Sequence, residues 1–248
     1  MWGGAQTPPL FKLLIMGCHM TSNMPKIKMT LDQWIEFAKS LKYGDECHVF
    51  ADDVSGEVIE AVSSNNLTLD PLNVVPFLHP VHTFRYFGMG DGRTVEADPK
   101  GSQWHHIDEY RDRVIAGDVR IVVFRHVDLT IERFEKLKSE AEHQVGKPYG
   151  WGALLGFFLV KIIWNTPLGT IWRDNKWQTP WCDRNNPVCS QGVRLQKDNI
   201  LEYYEVMKKL SVWQDNTPQR TLNETGALTT YAADSFYRGE IPFPHVGV

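Results

Sequence analysis

Apolar residues recur along this chain with a period that changes from stretch to stretch. From Leu31 to Leu41, LDQWIEFAKSL puts Leu31, Trp34, Ile35, Ala38 and Leu41 on one face at helical spacing. Thr30 with Gln33 three residues on is a capping-box start, and Tyr43-Gly44-Asp45 marks the end. Cys47 to Asp53, CHVFADD, alternates weakly and predicts a first strand. Val58 to Val62 fits a second strand and a helical turn equally, and Ser63 to Asn73 concentrates turn formers as a loop does.

His82 to Asp98, HTFRYFGMGDGRTVEAD, is the most readable hairpin. Phe84 and Tyr86 suit a strand, Gly88 to Gly92 a turn, and Thr94 and Val95 the return strand. With Met89 as pivot, His82 lies across from Glu96, and opposed residues share a face. An alternative register places Asp98 there instead, and a slip of one residue turns the side chains apart. Gln103 to Asp112 is mixed and predicts a loop or short helix, whereas Asp118 to Val127 has a β-branched centre and predicts a strand.

Thr130 opens a second helical pattern with a stripe of Ile131, Phe134, Leu137, Ala141 and Val145, stopped by Gly146 and Pro148. Trp151 to Trp164 is an apolar run with one lysine, too short to span a bilayer and suited to a buried helix. Asn165 to Asn185 reads as an irregular loop, Pro187 to Gln196 and Leu201 to Trp213 as helices, and the sequence from Asp215 as a tail without regular pattern. The expected organisation is an arm over 1–29, a domain over 30–213 and a C-terminal extension over 214–248.

Composition narrows the possibilities. The 248 residues are 42% hydrophobic and 23% charged, as in a globular protein. A net charge of -4 implies no broad basic surface and no nucleic-acid partner. Nine tryptophans suggest large aromatic contacts in a core or groove. Four cysteines, Cys18, Cys47, Cys182 and Cys189, fit no zinc spacing and are too few for a disulfide-built fold. A Cys182–Cys189 disulfide is open from sequence, and nothing requires it. Leu10 to Met20 is apolar but interrupted by Lys12 and His19. It lacks a signal peptide's positive start, so a buried or partner-docking arm is expected, and no transmembrane span.

The chemistry centres on Asn186 to Leu195, NPVCSQGVRL. Asn186 suits an N-cap and Pro187 the first helical position. Cys189 then lies in the first turn, where free N–H groups and the helix dipole favour a thiolate. A lone cysteine is more often a small buried hydrophobe. A nucleophile needs a base and something to orient it. His82 is the candidate base and Glu96 the candidate orienter.

His79 is the rival base, but Pro80 marks it as a loop residue. Asp98 and Asp183 are rival orienters. His105 and His106 are adjacent, so on a strand they would point apart and share no metal. They read as surface or loop histidines. Tyr149 and Trp181 are candidate substrate-binding residues, and Trp172 and Trp177 share the option of walling a groove.

These motifs, in this order, resemble a known family. His82-Thr-Phe-Arg-Tyr-Phe-Gly, Gly90-Asp91-Gly92, Val95-Glu96-Ala97, Gly146-Lys147-Pro148-Tyr149 and Val188-Cys189-Ser190 are similar to the signatures of circularly permuted NlpC-type cysteine hydrolases. That branch includes relatives of lecithin:retinol acyltransferase. The resemblance covers roughly residues 43–205. It implies an α+β papain-like fold, with a small antiparallel sheet packed on helices.

It further implies a Cys-His-Glu triad of Cys189, His82 and Glu96, no cofactor and no metal. The implied substrate is an amide in a cell-wall peptide, or else a lipid acyl group, for which the apolar run Ala153 to Ile163 could form a groove. A non-catalytic assembly module, as in a virion or secretion device, is the third expectation, with protein partners met through the arm or tail. The hairpin turn is two residues longer than in many members, and Gln191 follows Cys-Ser where Glu or another polar residue is common. The segment Asn165 to Trp181 and the sequence after Trp213 have no counterpart.

Overall fold

The computed structural model describes residues 28–51, 80–126, 129–153 and 185–198, with a few positions besides, including the strand 231–234. The readings of the arm before Lys28, of Val58 to Val62, of most of the apolar run, of the Trp-rich loop and of Leu201 to Trp213 lie outside them.

The fold is α+β. In chain order the elements are α1 (Leu31–Ser40), β1 (Glu46–Ala51), β2 (His82–Tyr86), β3 (Arg93–Asp98), β4 (Gly101–His106), α2 (Arg111–Ala116), β5 (Val119–His126), α3 (Ile131–Gln144), α4 (Cys189–Asp198) and β6 (Tyr231–Asp234). A single 3-10 turn, Ile107–Tyr110, joins β4 to α2. The six strands form one antiparallel sheet in the order β4-β3-β2-β1-β5-β6. β6 comes from the stretch read as patternless extension, and it pairs with β5 from Val123 to His126.

Helices cover both faces, and strand alternation sorts the residues between them. On one face Phe84, Tyr86, Cys47, Val49, Ile121 and Val123 pack with Trp34 and Phe37 of α1 and Val114 of α2. On the other, Phe87 and Val95 pack with Phe134, Leu137 and Ala141 of α3. α4 lies on this second face, against α3 and β2. β1 is buried along its whole length because it is central and covered on both sides.

α1 starts as its sequence requires: Thr30 Oγ1 accepts from Gln33 N–H and the Gln33 side chain accepts from Thr30 N–H. Its buried face is Trp34 and Phe37, with Leu41 at the cap, while Leu31 and Ile35 of the expected stripe are exposed. In α3 the stripe holds at Phe134, Leu137 and Ala141, but Ile131 is 71% exposed at the first turn.

β4 corrects the reading of Gln103 to Asp112 as loop or short helix over its first four residues, while from Ile107 the short-helix alternative holds. The β4 sequence GSQWHH lacks the β-branched pattern, because it is an edge strand exposed at Trp104 and His106. A two-residue turn brings it back from β3, with Asp98 opposite Gly101. Gly101 has φ +118, and a Cβ there would meet the Lys147 carbonyl.

Candidate active site

Three elements each bring one group to the site. His82 is the first residue of β2, Glu96 lies within β3, and Cys189 begins α4. The structure brings these three side chains together.

The hairpin register is the alternative one. Arg85 opposes Val95 and Tyr86 opposes Thr94, and Phe87 N–H donates to the Arg93 carbonyl at 2.8 Å. The pivot is therefore Gly90 rather than Met89. Carried back along β2, this register sets His82 opposite Asp98, which corrects the expectation of a direct His82–Glu96 pair. Glu96 is instead the diagonal neighbour on the same face, a separation that a long side chain bridges. His82 Nε2 and Glu96 Oε2 lie 2.8 Å apart.

Two further groups hold the carboxylate. Tyr110 donates to Glu96 Oε2 at 2.6 Å and Thr94 to Oε1 at 2.7 Å. The Tyr110 ring stacks on Phe84 at 5.2 Å, which fixes where its hydroxyl reaches. Burial alone would raise the Glu96 pKa, but the bonds from His82, Thr94 and Tyr110 hold it lowered, so this nearly enclosed side chain stays ionised.

Cys189 is the first helical residue, two positions nearer the helix start than it would be with Pro187 at the head. Pro187 stays outside because its carbonyl accepts the Gly150 N–H at 3.3 Å, while the Val188 carbonyl accepts from Gly192 N–H at 2.9 Å as the helix begins. Asn186 is accordingly a loop residue. The sulfur therefore sits nearer the dipole's positive end than the sequence suggests.

The Cys189 thiol hydrogen-bonds the His82 ring and accepts from the backbone N–H groups of Thr83 and Ser190. Because Nε2 of His82 faces Glu96, Nδ1 is left for the sulfur.

Burial favours a neutral thiol, yet the charge and hydrogen bond of His82 outweigh it with the two N–H groups, and the Cys189 pKa is lowered. For His82, burial works downward, and the Cys189 charge, then Glu96, overcome it to raise the pKa to about 10. The two shifts, Cys189 downward and His82 upward, both favour a thiolate–imidazolium pair. His82 keeps 19% of its side chain exposed, so the site opens to solvent on the imidazole side.

Tyr149 is half-buried, edge-on to Trp151 at 5.1 Å. Burial, then the charges of Cys189 and Asp98, raise its pKa well above the ordinary value, which puts its hydroxyl within the sulfur's field. Gly150 next to it packs against the Asn186 carbonyl so closely that a Cβ would collide with it. The Gly146 to Gly150 turn thus forms a wall against the loop that leads into Cys189.

Asp98 serves a different histidine. It accepts from Lys100 N–H and Gln103 Nε2, and its Oδ2 lies 3.4 Å from His105 Nε2, an ion-pair distance. His105 Nδ1 meets Glu109 at 2.8 Å, whereas His106 turns to the exposed side and accepts from Asp108 N–H. The two histidines do point apart, but on a strand rather than a loop.

Trp181, Trp172, Trp177, Asp183, His79 and Cys182 lie outside the described residues. Sequence reasoning passed over Thr94 and Tyr110. The first is two residues from Glu96 on one strand, a findable signal, and the second needs the tertiary fold.

Among the described residues, no group of three or more His, Cys, Asp or Glu is arranged to hold a metal ion. Nor, among them, is any helix long and apolar enough to cross a membrane.

No protein-family profile and no curated protein matches the chain. Among solved structures it is similar to the metalloprotein yiiX from Escherichia coli O157:H7, at 13% identity and a TM-score of 0.43, over 78% of this chain and 96% of that one.

Proposed function

We propose that this protein is a cysteine hydrolase of the circularly permuted NlpC type, with Cys189 as nucleophile, His82 as acid and base, and Glu96 as the residue that orients and charges the imidazole. The observation that carries this reading is the buried Cys189–His82 contact backed by the 2.8 Å His82–Glu96 bond. The proposed substrate is an amide of a cell-wall peptide.

The reaction follows from the resting charges. The Cys189 thiolate attacks the amide carbonyl, forming a C–S bond and pushing the π electrons onto oxygen. N–H groups at the start of α4 are suited to receive that oxyanion. As the tetrahedral species collapses, the His82 imidazolium gives its proton to the nitrogen, which leaves as an amine and yields a thioester. Neutral His82 then takes a proton from water, the hydroxide attacks the thioester, and the acid product leaves with thiolate and imidazolium restored. Glu96 remains ionised throughout and stabilises the imidazolium.

The test is release of new amine groups from peptidoglycan fragments by the wild type and by Cys189→Ala. Turnover by the wild type alone is expected; equal turnover by both, or none by either, refutes the reading. Turnover of a lipid ester with none of the peptide would move the substrate class to acyl lipids.

A further inference from the structure

On the face of the sheet beneath α4, charged side chains are buried where apolar ones would ordinarily pack. Arg85 of β2 is wholly enclosed. Its Nη2 donates to Glu46 Oε2 of β1 at 3.0 Å, its Nη1 to the Gly44 carbonyl at 2.7 Å, and its Nε to Gln196 Oε1 of α4 at 3.1 Å. Gln196 passes the link on, its Nε2 donating to Gln144 Oε1 of α3 at 3.2 Å. Gln144 Nε2 returns to α4 through the Gly192 carbonyl at 3.1 Å. A guanidinium so enclosed costs stability unless its partners are held in place, and its planar fork tolerates little displacement.

The sequence positions give this network a geometric meaning. Arg85 and His82 belong to one strand, and Gln196 and Cys189 to one helix. Three residues of strand span about 10 Å, and seven residues of helix also span about 10 Å. The two contacts are thus about equally spaced along strand and helix, although His82 and Arg85 point to opposite faces: α4 meets Arg85 on the face it covers and meets His82 at the first residue of β2. One point is the Cys189–His82 pair and the other is Arg85–Gln196.

We infer that Arg85 and Gln196 are positioning residues for the nucleophile, a second anchor that sets the axial register of α4 on β2 and hence the reach from sulfur to imidazole. This rests on the proposed catalytic roles of Cys189 and His82. A helix free to slide by one ångström along β2 would keep its apolar packing and lose the thiolate–imidazolium contact, and misplacement on that scale costs about a hundredfold in rate. The thiolate reports its own position, because its pKa depends on burial, on His82 with Glu96 behind it, and on the Thr83 and Ser190 N–H groups.

The experiment is iodoacetamide alkylation of Cys189 as a function of pH, followed by peptide mapping, in the wild type, Gln196→Leu and Gln196→Glu. Gln196→Leu removes the acceptor for Arg85, and its alkylation midpoint is expected to rise by about one pH unit or more towards the ordinary thiol range. The kcat should fall at least about tenfold with KM little changed. Gln196→Glu restores an acceptor for Arg85 Nε and should return the midpoint to that of the wild type.

If Gln196→Leu does not fold, Gln196→Asn decides, being one methylene too short to reach Arg85 and expected to show the same rise. A folded Leu or Asn variant with the wild-type midpoint overturns the proposal, as does a wild-type midpoint already in the ordinary range. A wild type that hydrolyses no amide yet keeps a low midpoint refutes the hydrolase reading alone and, given the expected shift in the variant, supports the positioning role.

Discussion

Tyr110 and His82 converge on a single oxygen: Glu96 Oε2 lies 2.6 Å from the Tyr110 hydroxyl and 2.8 Å from His82 Nε2. The other oxygen accepts from Thr94 at 2.7 Å. Three groups able to donate to one buried carboxyl favour its ionised, acceptor-only form and hold its pKa lowered. The negative charge that steadies the imidazolium is thus built into the hairpin and its neighbouring turn.

Glu96→Gln should remove that property while keeping the shape. An amide has one acceptor oxygen, so at least one of the three donors would face its NH2 group. The expected result is a loss of about a hundredfold or more in kcat/KM. The alkaline limb of the pH–rate profile should also move below pH 10, because His82 then holds its proton less tightly than its present value of about 10. Tyr110→Phe keeps the stack on Phe84 and removes one charge-assisted bond, and should cost about tenfold. Steady-state kinetics across pH check both.

Gly150→Ala tests the wall beside Cys189. The added methyl meets the backbone carbonyl of Asn186, which cannot rotate away as a side chain would. The loop into α4 must shift, so unfolding free energy should fall by about 1–3 kcal/mol and turnover should fall with it. Urea denaturation and activity measured together check this; wild-type values for both contradict it.

His105 gives a second pH dependence, set mainly by groups outside the triad, with a smaller contribution from the Glu96 charge. Asp98 first, then Glu109, raise its pKa to about 9 against the opposing effect of burial. A histidine whose pKa is higher folded than unfolded stabilises the fold fully below its unfolded value, near 6.5, and loses that contribution as pH rises towards 9. The difference in urea midpoint between wild type and His105→Gln should accordingly be larger at pH 6 than at pH 9.5. A difference that is the same at both pH values refutes the assignment.

Much of this arrangement is legible in the sequence where local rules decide. Thr30 with Gln33, and the Phe134, Leu137, Ala141 stripe, depend on spacing alone. So does the placement of His82, Glu96 and Cys189 on strand, strand and helix start. What escaped depends on contacts between distant segments. The turn pivot at Gly90 is set by Phe87 pairing with Arg93, and the start of α4 by Pro187 being held to Gly150. β4 carries an edge strand's polar residues, and Tyr110 meets Glu96 only after β4 and the 3-10 turn fold back. Arg85 is enclosed by partners from the segment before β1, from β1 and from α4, which spacing along β2 does not show.

The central claim is the thiolate–imidazolium pair, and its most direct test is the pH dependence of iodoacetamide labelling at Cys189 compared with Cys47 and with Cys189 in His82→Gln. Cys47 is an internal control, since burial first and the carboxylates of Asp45, Glu96 and Glu46 next raise its pKa well above the ordinary value. The account predicts that Cys189 is labelled at pH 6 while Cys47 is not, and that His82→Gln moves the Cys189 midpoint up to the ordinary thiol range, about 8.5. A wild-type Cys189 midpoint in that range, unmoved by His82→Gln, would contradict it.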